Sequence, residues 1–120
     1  MSIIETNNIK DVVLESLDNL KTQNIVIIDV SKKSNFTDLL LICTGTSSTH
    51  IKSISDEVIN NIKKKGYGKV INAVESNNDW VLIDLFDIVV NIMLRDTREF
   101  YSLEKLWSAE SSYESNLTTI

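Results

Sequence analysis

The sequence predicts an α/β domain in which a mixed β-sheet of about five strands is covered by helices. Short runs rich in β-branched residues, such as Ile25 to Val30, indicate strands that are buried on both faces. Apolar residues at helical spacing from Ile51 to Ile62 indicate an amphipathic helix. Two apolar runs, Trp80 to Leu85 and Ile88 to Leu94, are so close together that they predict an antiparallel hairpin.

The first half of the chain alternates between helix and strand patterns. A helix is predicted from about Asn8 to Lys21, with Asn7 or Asn8 as its cap. The strand Ile25 to Val30 and a polar loop follow, and Leu39 to Cys43 forms the second strand. The next helix has Ser47 among its candidate caps and Gly66 as the residue that ends it.

The second half predicts a crossover followed by the hairpin. Val70 to Val74 is interpreted as a short edge strand, reached from the second strand through the intervening helix. Asp96 and Glu99 have the spacing of a capping box, which predicts a last helix with Phe100, Leu103 and Leu106 on one face. We therefore expect one domain over residues 1–107, and a polar, flexible tail over residues 108–120.

Composition and charge limit the classes of function. The 120 residues carry a formal net charge of -5, which disfavours extensive contact with nucleic acid and suits either solubility or a basic protein partner. A single cysteine excludes an intrachain disulfide. The longest apolar run, Trp80 to Leu94, is interrupted by polar residues and is too short for a membrane helix. A cytoplasmic protein without a membrane partner is expected.

The turn from Thr44 to Ser47 raises the alternative that the protein is an enzyme. Its position between a strand and a helix resembles the Gly-Ser turn that opens the site of nucleotidyltransferases. Those enzymes also need an Asp-x-Asp pair to hold two metal ions, and the sequence contains no such pair. A structural turn is favoured, and a small nucleotidyltransferase-like enzyme is kept as the alternative function.

Other candidate sites also have structural interpretations. Asp84 and Asp87 could bind a metal ion, but aspartate at a hairpin bend is typical of turns, so we expect neither a metal nor a cofactor. Cys43 and His50 could form a nucleophile and base, but a cysteine inside a buried strand is usually inert. Phe100 and Trp107 are interpreted as core and docking residues, whereas Trp80 and Phe86 are candidate binding residues.

Four segments together resemble the Iojap-like family of ribosomal silencing factors over roughly residues 8–107. The segments occur in the family's order and spacing. They are Asp29-Val-Ser, then Asp38-Leu-Leu-Leu-Ile-Cys43-Thr-Gly45-Thr-Ser47, then Trp80-Val-Leu-Ile-Asp84-Leu-Phe-Asp87-Ile-Val-Val, and finally Arg98-Glu-Phe100-Tyr101-Ser-Leu-Glu104-Lys-Leu-Trp107.

The resemblance implies a fold, a partner and a set of contact residues. It implies a nucleotidyltransferase-like fold without the catalytic aspartates, and a translational repressor that is not an enzyme. The repressor would bind ribosomal protein fourteen on the intersubunit face of the large ribosomal subunit, so that the small subunit cannot join when nutrients run short. A homodimer of the free protein is left open. The implied partner-binding residues are Trp80, Leu82, Asp84, Phe86, Asp87, Asn91, Arg98 and Tyr101.

Three positions depart from the pattern of the family. The bend is usually Asp-Tyr-Gly-Asp in the family, and here Phe86 takes the place of the glycine. If that position needs a left-handed backbone, Phe86 costs on the order of 1 kcal/mol. The family often has histidine where this chain has Asn91, and glutamine where it has His50. These changes concern the contact with the partner more than the fold.

Overall fold

A computed structural model describes residues 2–108 and 113–115 of the chain. The helices are α1 (Ile3–Asn19), α2 (Ser48–Lys64), α3 (Arg95–Tyr101) and α4 (Leu103–Ser108), with a short 3-10 turn at Gly68–Val70. The strands are β1 (Gln23–Asp29), β2 (Leu39–Gly45), β3 (Ala73–Ser76), β4 (Trp80–Asp84), β5 (Ile88–Leu94) and β6 (Tyr113–Ser115). No helix within the described ranges is long and apolar enough to cross a membrane.

The strands form one mixed sheet in the order β3-β4-β5-β2-β1-β6. β2 pairs with β5 in parallel, whereas β4 and β5 form the predicted antiparallel hairpin. β3 is antiparallel to β4 and therefore runs in the same direction as β2, from which it is reached through α2. The predicted mixed sheet, crossover and edge position of the third strand are confirmed. The likeness to nucleotidyltransferases stays a prediction.

One face of the sheet is covered by α1 and α2. Their apolar residues, among them Val13 and Ile54, pack on residues of the sheet such as Leu41 and Ile83, and all of these are fully buried. The other face carries a smaller cluster around Ile28, Ile42 and Met93. α4 covers only part of it, with Leu103 and Trp107 packed against the cluster. We call this second face the open face.

The two long helices begin and end for local reasons. Ser2 caps α1 by accepting a hydrogen bond from the Glu5 N–H at 3.1 Å, so the helix begins five residues earlier than the predicted Asn8. Ile3 and Ile4 are exposed there, which is why apolar periodicity did not reveal this first turn. Ser47 caps α2 as predicted. Gly66, with φ of 87°, follows the end of α2, where left-handed backbone favours glycine.

Three further predictions were wrong. The edge strand begins at Ala73 rather than at Val70, because the preceding residues form the 3-10 turn. The Asp96–Glu99 capping box does not form, since Leu94 occupies the cap position and makes no side-chain cap hydrogen bond. The predicted last helix is divided at Ser102, whose backbone is left-handed with φ of 48°.

The division at Ser102 changes the environment of the aromatic residues. Phe100, which we had interpreted as a core residue, is 80% exposed, and Leu106 is 67% exposed. Leu103 and Trp107 are the residues of this region that pack against the sheet. The single apolar face that was predicted for one continuous helix therefore does not exist.

Part of the predicted tail takes part in the sheet. Ser108 is the last residue of α4, and Tyr113–Ser115 pair antiparallel with β1 as the sixth strand. The prediction of a polar, flexible segment otherwise falls on residues that lie outside the described ranges.

Candidate functional site

Most of the predicted contact residues meet on the open face of the hairpin. Side chains alternate along a strand, so Trp80, Leu82 and Asp84 lie on one side of β4. Across the hairpin, Trp80 pairs with Met93, Leu82 with Asn91, and Asp84 with Val89. Trp80, Leu82 and Asp84 are each partly exposed, whereas the alternate residues Val81 and Ile83 are buried against the helices.

Trp80 is held by a hydrogen bond and by an aromatic contact. Its indole Nε1–H donates to Asn91 Oδ1 at 2.9 Å. Its ring lies 4.9 Å from the Tyr101 ring at an interplanar angle of 52°, and Tyr101 in turn makes an edge contact with Phe100 at 5.0 Å. Tyr101 is 51% exposed. We call Trp80, Phe100 and Tyr101 the aromatic patch.

Asn91 and Arg98, both among the predicted partner-binding residues, lie beneath the surface of the domain. Asn91 is 2% exposed and accepts the indole hydrogen bond, so in this structure it orients Trp80. Arg98 is 8% exposed and uses its guanidinium for contacts inside the domain. Sequence patterns could not reveal this, because arginine and asparagine are usually found on surfaces.

The bend of the hairpin separates Phe86 and Asp87 from the aromatic patch. Phe86 has φ of 68°, a left-handed backbone that costs a residue other than glycine about 1–2 kcal/mol. Asp84 Oδ1 accepts the Phe86 N–H at 2.9 Å, and Asp84 Oδ2 accepts from Asn72 Nδ2 at 3.0 Å. The carboxylate of Asp84 therefore stabilises the bend, as expected for an aspartate in a turn.

Asp87 lines a cavity of about 250 Å³ at the end of the sheet where β2 begins. Its Oδ2 accepts a hydrogen bond from Thr6 Oγ1 of α1 at 3.0 Å. Asp29 lines the same cavity, and hydrogen bonds from the side chain and backbone of Ser31 hold the pKa of its carboxyl group below the usual value for aspartate. Among the described residues, no group of three or more His, Cys, Asp or Glu side chains is placed to hold a metal ion.

Cys43 and His50 each have partners other than one another. Cys43 is fully buried, its Sγ donates to the Asn91 carbonyl at 3.5 Å, and burial raises its pKa to about 12. His50 Nδ1 accepts the Thr46 N–H at 2.9 Å, and its Nε2 lies 2.8 Å from the Leu20 carbonyl. Since a carbonyl only accepts, the proton of the neutral ring lies on Nε2. These contacts join α1 to the start of α2.

The turn after β2 is explained by hydrogen bonds and packing inside the domain. Ser47 Oγ accepts the His50 N–H at 3.0 Å, and the Thr46 N–H is bonded to the His50 ring, so both groups have partners inside the domain. A Cβ atom at Gly45 would lie 2.5 Å from Cγ2 of Ile51, which is fully buried. The glycine is therefore explained by the close approach of α2 to β2.

Gly45→Ala is expected to lower the free energy of unfolding by about 1–3 kcal/mol, because a buried isoleucine must shift to admit the new methyl group. Gly68→Ala is the matched control, since its Cβ would meet only Lys63 Cγ at 3.6 Å. That variant should change the free energy of unfolding by less than about 1 kcal/mol. Urea unfolding of both variants measures the difference, and equal stability would contradict the packing explanation.

Comparisons with known proteins agree with the resemblance found in the sequence. The family described as ribosomal silencing factor during starvation matches residues 4–119. The chain is similar to a ribosomal silencing factor of Haemophilus influenzae, at 44% identity over 79% of this chain and 93% of the relative. A ribosomal silencing factor of Chromobacterium violaceum is 29% identical over 89% of this chain and 88% of the relative.

Solved structures show the same fold. A crystal structure of a Chromobacterium violaceum protein superposes with a TM-score of 0.80 at 31% identity, and covers 92% of this chain and 89% of that chain. A Bacillus halodurans structure has a TM-score of 0.73 at 31% identity, with 84% and 94% covered. The relatives are named as silencing factors rather than as enzymes, as the sequence had led us to expect. The chain therefore belongs to the ribosomal silencing factor family.

Proposed function

We propose that this protein represses translation by binding the large ribosomal subunit and preventing the small subunit from joining. Its contact would be ribosomal protein fourteen on the intersubunit face, and its surface would be the open face of the hairpin with the aromatic patch. The observation that carries the proposal is the contact between the partly exposed ring of Trp80 and the exposed ring of Tyr101, on a protein of this family.

The chemistry of this surface suits a basic protein partner. Partly desolvated tryptophan and tyrosine side chains are the residues most often found as binding hot spots. Neither lysine nor arginine occurs in β3, β4 or β5, while Glu75 and Asp84 lie on the open face at its edge. An apolar centre with a carboxylate rim complements an apolar site surrounded by basic residues.

The mechanism requires no chemical step. A protein bound on the intersubunit face occupies space that the small subunit needs, so repression follows from occupancy. Because occupancy is stoichiometric, the effect should scale with the fraction of large subunits bound. An enzyme would act at substoichiometric concentrations, and its effect would survive its removal.

The purified protein should pellet with large subunits and not with small subunits. When the two subunits are mixed, light scattering should show less association as the protein is added, with the effect complete near one protein per large subunit. Extra large subunits should restore association by titrating the protein away. Inhibition at a small fraction of the subunit concentration, or binding to small subunits only, would contradict the proposal.

Charge reversal on the open face should weaken binding to the large subunit. Glu75→Lys places a cation beside the proposed contact, and we expect a loss of affinity of about three- to tenfold, mainly through slower association at low salt. Glu15→Lys is the matched control, since Glu15 is exposed on α1 and the charge change is the same. Equal losses for both variants would indicate a general charge effect rather than this surface.

A further inference from the structure

The ion pair between Arg98 and Glu104 joins α3 to α4 across the left-handed residue Ser102. Arg98 Nε lies 3.2 Å and Nη2 lies 3.0 Å from Glu104 Oε2. The side chains of Arg98 and Glu104 are 9% and 18% exposed. The second ion pair of α3, Arg95 with Glu99, is 3.6 Å long and its side chains are 83% and 67% exposed. Only the first pair is positioned to hold the two helices together.

The same guanidinium anchors α3 to the sheet. Arg98 Nη1 donates to the Asn24 carbonyl at 2.6 Å and to Thr44 Oγ1 at 2.8 Å. The register of β1 shifts between Gln23 and Val26, where Asn24 has φ of 51°, and its carbonyl is the group that Arg98 reaches. One side chain therefore links β1, β2 and α4, and fixes the position of α3.

α3 carries Phe100 and Tyr101, the exposed residues of the aromatic patch. Tyr101 is its last residue and lies one turn after Arg98, directly before the break at Ser102. A helix of seven residues is too short to be stable by itself, so the position of its last turn depends on tertiary contacts. The packing of Tyr101 on Trp80 is a contact that this anchoring permits.

We propose that Arg98 and Glu104 are positioning residues for partner binding: their buried ion pair holds Tyr101 against Trp80 and thereby sets the affinity of the open face for a basic protein surface. The inference rests on the proposed function. It assigns to Arg98 an indirect contribution to binding, whereas the family resemblance implies a direct contact. Glu104 was not among the predicted site residues. It lies six residues after Arg98, whereas side chains that meet on a regular helix are three or four residues apart.

The test replaces Glu104 with glutamine, which keeps the shape of the side chain and removes its charge. All proteins carry Trp107→Phe, so that Trp80 is the only tryptophan. We expect Glu104→Gln to increase acrylamide quenching of the Trp80 fluorescence and to weaken binding to the large subunit about five- to tenfold. Glu99→Gln, the same change in the exposed pair, should alter neither quantity. Unchanged quenching and affinity in Glu104→Gln would overturn the proposal.

A second background separates positioning from a general loss of stability. In Tyr101→Ala, the group that the ion pair positions is missing, so adding Glu104→Gln should cause less than about a twofold further loss of affinity. An undiminished five- to tenfold loss in that background would show that Glu104 acts by another route. If the unsubstituted protein binds no large subunits while quenching still responds to Glu104→Gln, the proposed function fails and the positioning of Tyr101 stands.

Discussion

Arg98→Ala should lower the free energy of unfolding by about 3–5 kcal/mol, the typical cost of breaking a buried ion pair from one side. Glu104 would keep a largely buried carboxylate without its cation. The Asn24 carbonyl and Thr44 Oγ1 would also lose their hydrogen bonds from the guanidinium. Because three groups lose one common donor, the loss should exceed that of a typical surface substitution.

Urea unfolding followed by circular dichroism measures this loss, with Arg95→Ala as the control. Arg95 stands on the same helix and pairs with Glu99 at 3.6 Å, but both side chains are mostly exposed. Exposed pairs contribute about 0–1 kcal/mol, so the control should unfold almost like the unsubstituted protein. Similar losses for the two variants would mean that the buried pair has no special contribution. Arg98→Lys should lie between them, because lysine keeps the charge without the planar fork.

The strands were predictable because they are buried on both faces. Almost every position is apolar in the runs Ile25 to Val30 and Leu39 to Cys43. Their side chains on one face pack under the helices, and those on the open face belong to the smaller cluster around Ile28, Ile42 and Met93. The runs Trp80 to Leu85 and Ile88 to Leu94 are joined by so few residues that only an antiparallel hairpin can pair them. The sequence therefore specifies the centre of the sheet strongly.

The last helical region was not predictable from spacing. Phe100, Leu103 and Leu106 have a helical spacing, but the left-handed backbone at Ser102 redirects the residues that follow it. Serine is not a residue that signals a left-handed conformation. The break is stabilised by contacts distant in sequence, chiefly those of Arg98 with Asn24 and Thr44. A local pattern carries no information about such contacts.

The candidate site was predictable only where a local sequence pattern determines it. Alternation along β4 placed Trp80, Leu82 and Asp84 on one side, and the structure has them there. It could not indicate that Asn91 lies beneath Trp80, since burial of an asparagine depends on finding a partner across the hairpin. Phe100 was missed as a member of the aromatic patch, and its exposure follows from the break at Ser102.

Trp80→Ala is expected to weaken binding to the large subunit at least thirtyfold, corresponding to about 2 kcal/mol or more for a tryptophan hot spot. Trp80 is the member of the aromatic patch fixed from two directions, by Asn91 and by Tyr101. A side chain that is already ordered loses little conformational entropy when a partner binds. Its removal would also leave Tyr101 without the indole ring that it packs against.

The same variant should lose some stability, because Trp80 is only partly exposed and packs against the second cluster. Full burial of a tryptophan would make the loss about 3–5 kcal/mol, so we expect a smaller value here. Val81→Ala is the matched control: Val81 is the next residue of β4, is buried on the opposite face and belongs to the core under the helices. That variant should lose stability while its affinity for the large subunit stays nearly unchanged.

Measuring unfolding and large-subunit binding on both variants separates an interface residue from a core residue. If Trp80→Ala binds as well as the unsubstituted protein but unfolds much more easily, Trp80 is a structural residue and the contact lies elsewhere on the open face. If it keeps both properties, Trp80 has neither role. A third variant, Trp80→Phe, retains an aromatic ring for Tyr101 and removes the Nε1–H that Asn91 accepts. An affinity between those of the alanine variant and the unsubstituted protein would show that the ring and its orientation by Asn91 contribute separately to binding.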